Sequence, residues 1–190
     1  MFTQEVEALS AEFGPTRSVI VRLEEDPELL VGSPGRIAEV CMVVRRLSGT
    51  FLVIRKPAYP SDVFRLPTGG LHRGEGILDA LKREVAEETG LTIQVRSFLA
   101  SIHYGIEDKP TFHTFAFLVD EIDGQLGSCD EEEDLEFKEV DFGGLQRTAE
   151  TLERVMPSSA TGSGIHWPAW GRFRAIAHRA VLETLSQPGS

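Results

Sequence analysis

The chain has 190 residues, with 30 acidic and 19 basic side chains and a formal net charge of −11. Apolar residues at 41% and charged residues at 26% are ordinary for a globular domain, and no apolar run reaches the roughly 18 residues of a membrane span. Such acidity excludes a nucleic-acid coat, which needs Lys and Arg against phosphates, but it leaves room for small phosphates held through a cation.

In chain order, Val6, Leu9 and Phe13 at spacings of three and four predict a short amphipathic helix in the first fourteen residues. Arg17–Glu24 reads as a strand, and residues 31–35 (VGSPG) as a turn or linker. Two Val-rich strands follow, Ile37–Leu47 and Thr50–Lys56, joined at Ser48-Gly49 by a tight turn. Pro57 and Pro60 break the second, and Pro67-Thr68-Gly69-Gly70 reads as a Gly-rich loop. Gly76–Thr89 predicts a helix ended by Gly90 as a left-handed cap. Leu91–His103 and Thr111–Ile122 are strands, residues 123–134 an acidic loop, Leu135–Phe142 a last strand and Gly143–Val155 a helix. Residues 156–164 form a linker. The stripe Trp170, Phe173, Ala177, Val181, Leu185 predicts a C-terminal helix packed on the domain or on the partner of a homodimer. The expectation is an α+β fold, a mixed β-sheet flanked by helices with an additional C-terminal helix. It divides into an N-terminal helix/strand extension (1–35), a central domain (36–156) and a linker with the C-terminal helix (157–190).

Two separated cysteines, Cys41 and Cys129, show neither metal spacing nor a disulfide framework. With no basic or apolar leader in Met1–Glu7, the expected location is the reducing cytoplasm.

Chemistry concentrates in residues 69–91, GGLHRGEGILDALKREVAEETGL. On a helical wheel Ile77, Leu78, Leu81 and Val85 form an apolar face, and Glu84, Glu87 and Glu88 border it. Like charges at these spacings repel by roughly 0.2–0.5 kcal/mol per pair, partial burial adds to that cost, and the helix C-terminal half disfavours anions. A hard divalent cation would offset these penalties. Magnesium takes oxygen ligands and keeps waters or substrate phosphates in its shell. Arg83 is placed to orient a carboxylate bidentately, and the loop 68–74, with Gly70, lets backbone groups approach the cation or its phosphate.

The pattern Gly69-x5-Glu75-x7-Arg83-Glu84-Val85-x-Glu87-Glu88-x-Gly90-Leu91 resembles the Nudix box at every defining position, and Phe64–Gly70 resembles the approach to it. The resemblance extends loosely over residues 36–142. It implies an α/β/α sandwich and Mg2+-dependent hydrolysis of a nucleoside diphosphate linked to another moiety, with Mn2+ as a substitute cation. Carried over, Glu84, Glu87 and Glu88 would be metal ligands and Gly69 would offer its carbonyl. Arg83 would hold the glutamates, and Glu75 would support the loop. Many relatives carry a glutamate where His72 stands here, and an imidazole there is either a simply exposed side chain or a contact to a phosphate in place of a metal.

In some relatives a loop glutamate outside the box activates the attacking water, which makes Glu131, Glu132 and Glu133 candidates, with Glu132 at their centre. Arg55, Lys56 and Arg65 flank the strand before the box and are candidates to neutralise phosphate charge. Phe64, Tyr104 and Phe112 are core residues or base-stacking platforms, His103 and His113 are structural, and Cys41 is a buried small residue. The function expected is pyrophosphohydrolysis of a small nucleotide: an ADP-ribose-like compound, a dinucleoside polyphosphate or a nucleoside triphosphate. A non-hydrolytic nucleotide-sugar sensor on this fold usually has a damaged box, and this one is intact. An isoprenoid diphosphate isomerase would need a cysteine acid that is not placed here. Substrate choice is not written in the box.

Overall fold

The computed structural model describes residues 2–23, 35–106, 109–127, 134–157 and 165–187. Its centre is the Val-rich run after Ile37. Every residue from Ala38 to Val44 is buried, which happens only when both faces of a strand are covered. Among the described residues the chain forms seven strands: β1 (Arg17–Arg22), β2 (Ala38–Arg45), β3 (Phe51–Arg55), β4 (Thr68–Gly70), β5 (Leu91–Ile106), β6 (Lys109–Gly124) and β7 (Glu136–Val140). The described residues also form four helices: α1 (Thr3–Phe13), α2 (Ile77–Thr89), α3 (Phe142–Glu153) and α4 (Trp167–Leu185).

The strands make one mixed sheet in the order β1-β5-β6-β2-β3-β7, with β4 paired to β2 off that path. β1 runs parallel to β5 and β6 parallel to β2, while the other pairs are antiparallel. Alternation along β2 divides the core. Val40, Met42 and Val44 pack with Leu9 of α1 and with Ile77, Leu81 and Val85 of α2. Cys41 and Val43 pack on the other face with Leu145 and Ala149 of α3 and Phe173, Ala177 and Val181 of α4. The result is the expected α/β/α sandwich. The first two elements are woven into it: β1 extends the sheet, and α1 shares the face of α2.

Several expectations are corrected. The Gly-rich stretch before the box is not a loop. Thr68, Gly69 and Gly70 are a short strand whose partners in β2 are Cys41, Val40 and Glu39. The glycines leave no side chain to announce a strand, yet a side chain there would collide with neighbours from elsewhere in the chain. β5 and β6 are each 16 residues long and run past His103 and Ile122, because one ladder with four register shifts runs from the pair Leu91 and Gly124 to the pair Ile106 and Lys109. β7 stops at Val140, and Phe142 opens α3, because the Asp141 side chain accepts from Gly144 N–H at 2.6 Å and caps the helix. α4 starts at Trp167, three residues earlier than the apolar stripe suggests. Pro168 sits in its first turn, where a missing N–H costs nothing. Tyr104 and Phe112 are buried in the core and are not stacking platforms, while Phe64 is partly buried beneath the Lys138 ammonium. No helix among the described residues is long and apolar enough to cross a membrane.

Candidate active site

The site is built where β4 hands the chain to α2. The helix begins at Gly76, which offers no side-chain cap, and Glu5 of α1 accepts from Ile77 N–H in its place. It ends at Gly90 in the left-handed conformation (φ 67°), and a Cβ there would lie 2.7 Å from the Gln125 carbonyl, so glycine is required twice over. Between these ends the apolar stripe fixes the rotation of the helix and so aims its carboxylates.

Arg83 is the organising residue. Its Nε and Nη2 grip the Glu75 carboxylate at 2.7 and 2.8 Å, a bidentate pair. Nη1 donates to Glu84 Oε1 and Glu87 Oε2, both at 2.9 Å, and Nη2 also reaches the Gly70 carbonyl at 2.9 Å. These bonds hold the Arg83 pKa above its already high ordinary value. Arg83 in turn pulls Glu75 down to about 2, assisted by the His72 N–H, which donates to Glu75 Oε2. Glu75 thus ties the loop between β4 and α2 to the helix and remains ionised.

The three box glutamates do not share one environment. Glu84 and Glu88 are buried, at 9% and 8% exposure, which suits their place beside the apolar face. Glu87 departs from the expectation: its side chain is 53% exposed and turned to Arg83. Glu84 lies against Gly69 so closely that a Cβ on that glycine would stand 1.9 Å from Glu84 Cδ. That hollow in the strand admits the carboxylate. Among the described residues no three acidic, histidine or cysteine side chains are gathered into a metal cage. The donors present, Glu84, Glu88 and the nearby backbone oxygens, are all hard oxygen ligands. They fit a divalent cation that keeps water or substrate oxygens in an open shell, not one enclosed by protein.

The other sequence candidates separate. Arg65 is corrected: it is not at the surface to meet a phosphate but is 3% exposed. It donates to the Tyr59 hydroxyl, the Leu66 carbonyl and Thr68 Oγ1 at 2.9, 2.8 and 3.1 Å. Burial works against its charge, but Tyr59, Glu88 and Glu39 outweigh burial and hold its pKa high. Arg55 is engaged by Glu136 across the β3–β7 pair. His72 is exposed on the loop, its Nδ1 3.8 Å from Glu75. Glu131, Glu132 and Glu133 lie outside the described residues.

Sequence reasoning missed a buried polar network beneath β4, on the α4 face. Arg174 Nη1 binds both Glu39 oxygens at 2.9 Å, Thr114 donates to Glu39 Oε1 at 3.1 Å, and Arg174 also reaches Thr68 Oγ1 at 3.3 Å. His178 Nε2 accepts from Leu66 N–H at 2.9 Å, and burial, with Arg65 and Arg174 nearby, pushes its pKa down to about 3. The one sequence signal was Glu39, a charge inside a Val-rich strand. Its partner Arg174 lies 135 residues away.

Comparison with known proteins matches residues 35–158 to the family model described as NUDIX domain. An ADP-ribose pyrophosphatase of Methanocaldococcus jannaschii is 29% identical over 116 residues, 60% of this chain and 67% of that protein. The phosphatase NudJ of Escherichia coli K12 is 29% identical over 84 residues, 44% of this chain and about half (54%) of that protein. A solved ADP-ribose pyrophosphatase from Streptococcus suis covers 79% of this chain and 92% of its own at 14% identity, with a TM-score of 0.48.

Proposed function

The chain belongs to the Nudix hydrolase superfamily, and from that membership we propose that it is a divalent-cation-dependent pyrophosphohydrolase acting on a nucleoside diphosphate joined to another group. The observation that carries this reading is the Arg83 fork, which holds Glu75, Glu84, Glu87 and the Gly70 carbonyl at once. Such a clamp keeps Glu75 ionised and the carboxylates aimed despite their mutual repulsion. Glu84 and Glu88, with the Gly69 carbonyl, would hold the cation, and Glu87 would join them from its exposed position. Mg2+ is the first candidate and Mn2+ its substitute. When bound, the cation supplies positive charge that polarises phosphoryl oxygens and stabilises the leaving phosphate. Glu75 fixes the loop over which substrate enters. The water-activating carboxylate is assigned to the acidic run that contains Glu132.

ADP-ribose is the first substrate to try, since a relative at 29% identity carries that activity in its name. Dinucleoside polyphosphates and nucleoside triphosphates come next. The test is a product-resolved hydrolysis screen of these compounds with Mg2+ and with Mn2+, in wild type and Glu88→Gln. Expected is release of a nucleoside phosphate by the wild type, and a kcat at least about 100-fold lower in the variant with its circular dichroism unchanged. Wild-type turnover in Glu88→Gln refutes the mechanism. Saturable nucleotide binding with no product over hours refutes hydrolysis and leaves a sensor.

A further inference from the structure

Arg36 stands just before β2, and its guanidinium lies directly over Gly70. A Cβ built on that glycine would fall 2.3 Å from Arg36 Nε and 2.4 Å from Cζ. Strand alternation separates the two sides: Glu84 occupies the hollow at Gly69 on the α2 face, and Arg36 the hollow at Gly70 on the opposite face. Gly70 is thus flanked by two guanidiniums, since its carbonyl accepts from Arg83 at 2.9 Å.

Their situations differ. Arg83 has all three nitrogens committed to carboxylates and the Gly70 carbonyl. Arg65 is sealed in the interior, and Arg55 is engaged by Glu136. Arg73 is exposed on the loop. Arg36 is partly buried, yet among the described residues no hydrogen bond or ion pair ties it. A guanidinium fork held against a backbone platform, with its donors unspent, is the geometry that recognises phosphate bidentately. A diphosphate needs such a group, because the carboxylates of Glu75, Glu84, Glu87 and Glu88 repel it and Arg83 has nothing left to offer.

We propose that Arg36 is a substrate-binding residue that grips a phosphate of the nucleoside diphosphate over Gly70, on the face of β4 opposite Glu84. This deepens the reading of the site as a diphosphate hydrolase and rests on it. Gly70 is then glycine because Arg36 must lie on it.

The probe is adenosine 5′-(α,β-methylene)diphosphate with Mg2+, titrated calorimetrically into the full chain. Arg36→Ala weakens binding about 10- to 100-fold, and Arg36→Lys recovers part of the loss, since an ammonium lacks the fork. In turnover the loss appears in KM, with kcat changed by less than about threefold. Gly70→Ala displaces only the flexible end of Arg36, so the fold survives and binding weakens comparably. Added to Arg36→Ala, it costs nothing more, because both changes remove one contact. A merely structural Arg36 would lower the melting temperature without this pattern. Binding retained within about twofold in Arg36→Ala, full additivity of the two substitutions, or no binding of the analogue by the wild type overturns the assignment. If the analogue binds through Arg36 but no derivative is hydrolysed, the assignment stands and the reaction falls. If hydrolysis proceeds unaltered in Arg36→Ala, the reaction stands and the assignment falls.

Discussion

Acidification tests the buried network through His178. The ring is 2% exposed, and its Nε2 accepts from Leu66 N–H at 2.9 Å, which leaves the ring proton on Nδ1. Protonating Nε2 would turn that acceptor into a second donor facing an N–H, beside two guanidiniums. Burial first, then Arg65 and Arg174, therefore depress the folded pKa from 6.5 to about 3. Between these values the unfolded chain binds a proton that the folded chain refuses. The contribution of His178 to stability is complete above pH 6.5 and is lost as pH falls toward 3. Each pH unit costs about 1.4 kcal/mol, so about 2 kcal/mol is gone at pH 5. His113, pushed down to about 4 mainly by burial, adds a loss of the same sign, so the comparison must isolate His178. His178→Gln keeps an acceptor near Leu66 and removes the titration. Urea unfolding of both proteins between pH 7.5 and pH 5 should show a shallower slope in the variant, with the difference reaching about 2 kcal/mol at pH 5. Parallel free-energy curves would refute the argument, since they would mean that the buried ring takes up its proton as freely as an exposed one.

Gly69→Ala should leave the fold standing while pushing the Glu84 carboxylate out of its hollow, which a Cβ would enter at 1.9 Å. Mn2+ affinity measured by electron paramagnetic resonance is expected to fall about 10-fold or more, and unchanged affinity would remove Glu84 from the cation site. Glu5→Ala should cost about 1 kcal/mol in denaturant unfolding through loss of the cap on α2, and it should lower the melting temperature while turnover at 25 °C persists. Arg174→Met strands Glu39 in the interior and should cost about 3–5 kcal/mol, whereas the double change Glu39→Met with Arg174→Met recovers most of it. Destabilisation of the double variant equal to the sum of the Glu39→Met and Arg174→Met costs would show that the pair is not coupled.

Much of the site could be read before any coordinates. The Gly69–Leu91 pattern works through spacings of a few residues, and a helix converts such spacing into direction by its fixed rotation per residue. The apolar stripe Ile77, Leu81, Val85 therefore determined that Glu84 and Glu88 would lie at the buried edge, and Gly90 marked the end of α2. The reading faltered where an interaction was not local. Glu87, one position from Glu88, is turned outward by Arg83. Arg65 looked like a surface cation beside the box and proved to be interior, because Tyr59, Leu66 and Thr68 supply its acceptors.

The charge of −11 shows the same division. Residues 130–141 hold eight acidic side chains against Lys138 alone, a fact of sequence. Composition did not reveal that Glu136 pairs with Arg55, that Glu139 accepts from Ser48 and Thr50, or that Asp141 caps α3. Glu136 and Glu139 tie β7 to β3 and the turn before it, and Asp141 holds the start of α3.

By itself, then, the sequence determined the chemistry of the box, the helix that carries it and most of the strands along the chain, since all three follow from short-range periodicity. Only the tertiary structure decided that Glu5 caps α2, that Arg36 lies on Gly70 and that Arg174 and His178 brace β4 from below. Those partners lie 72, 34, 106 and 112 positions apart along the chain. No periodicity spans such distances, and the contacts exist only once burial of the two apolar faces of the sheet has drawn the segments together.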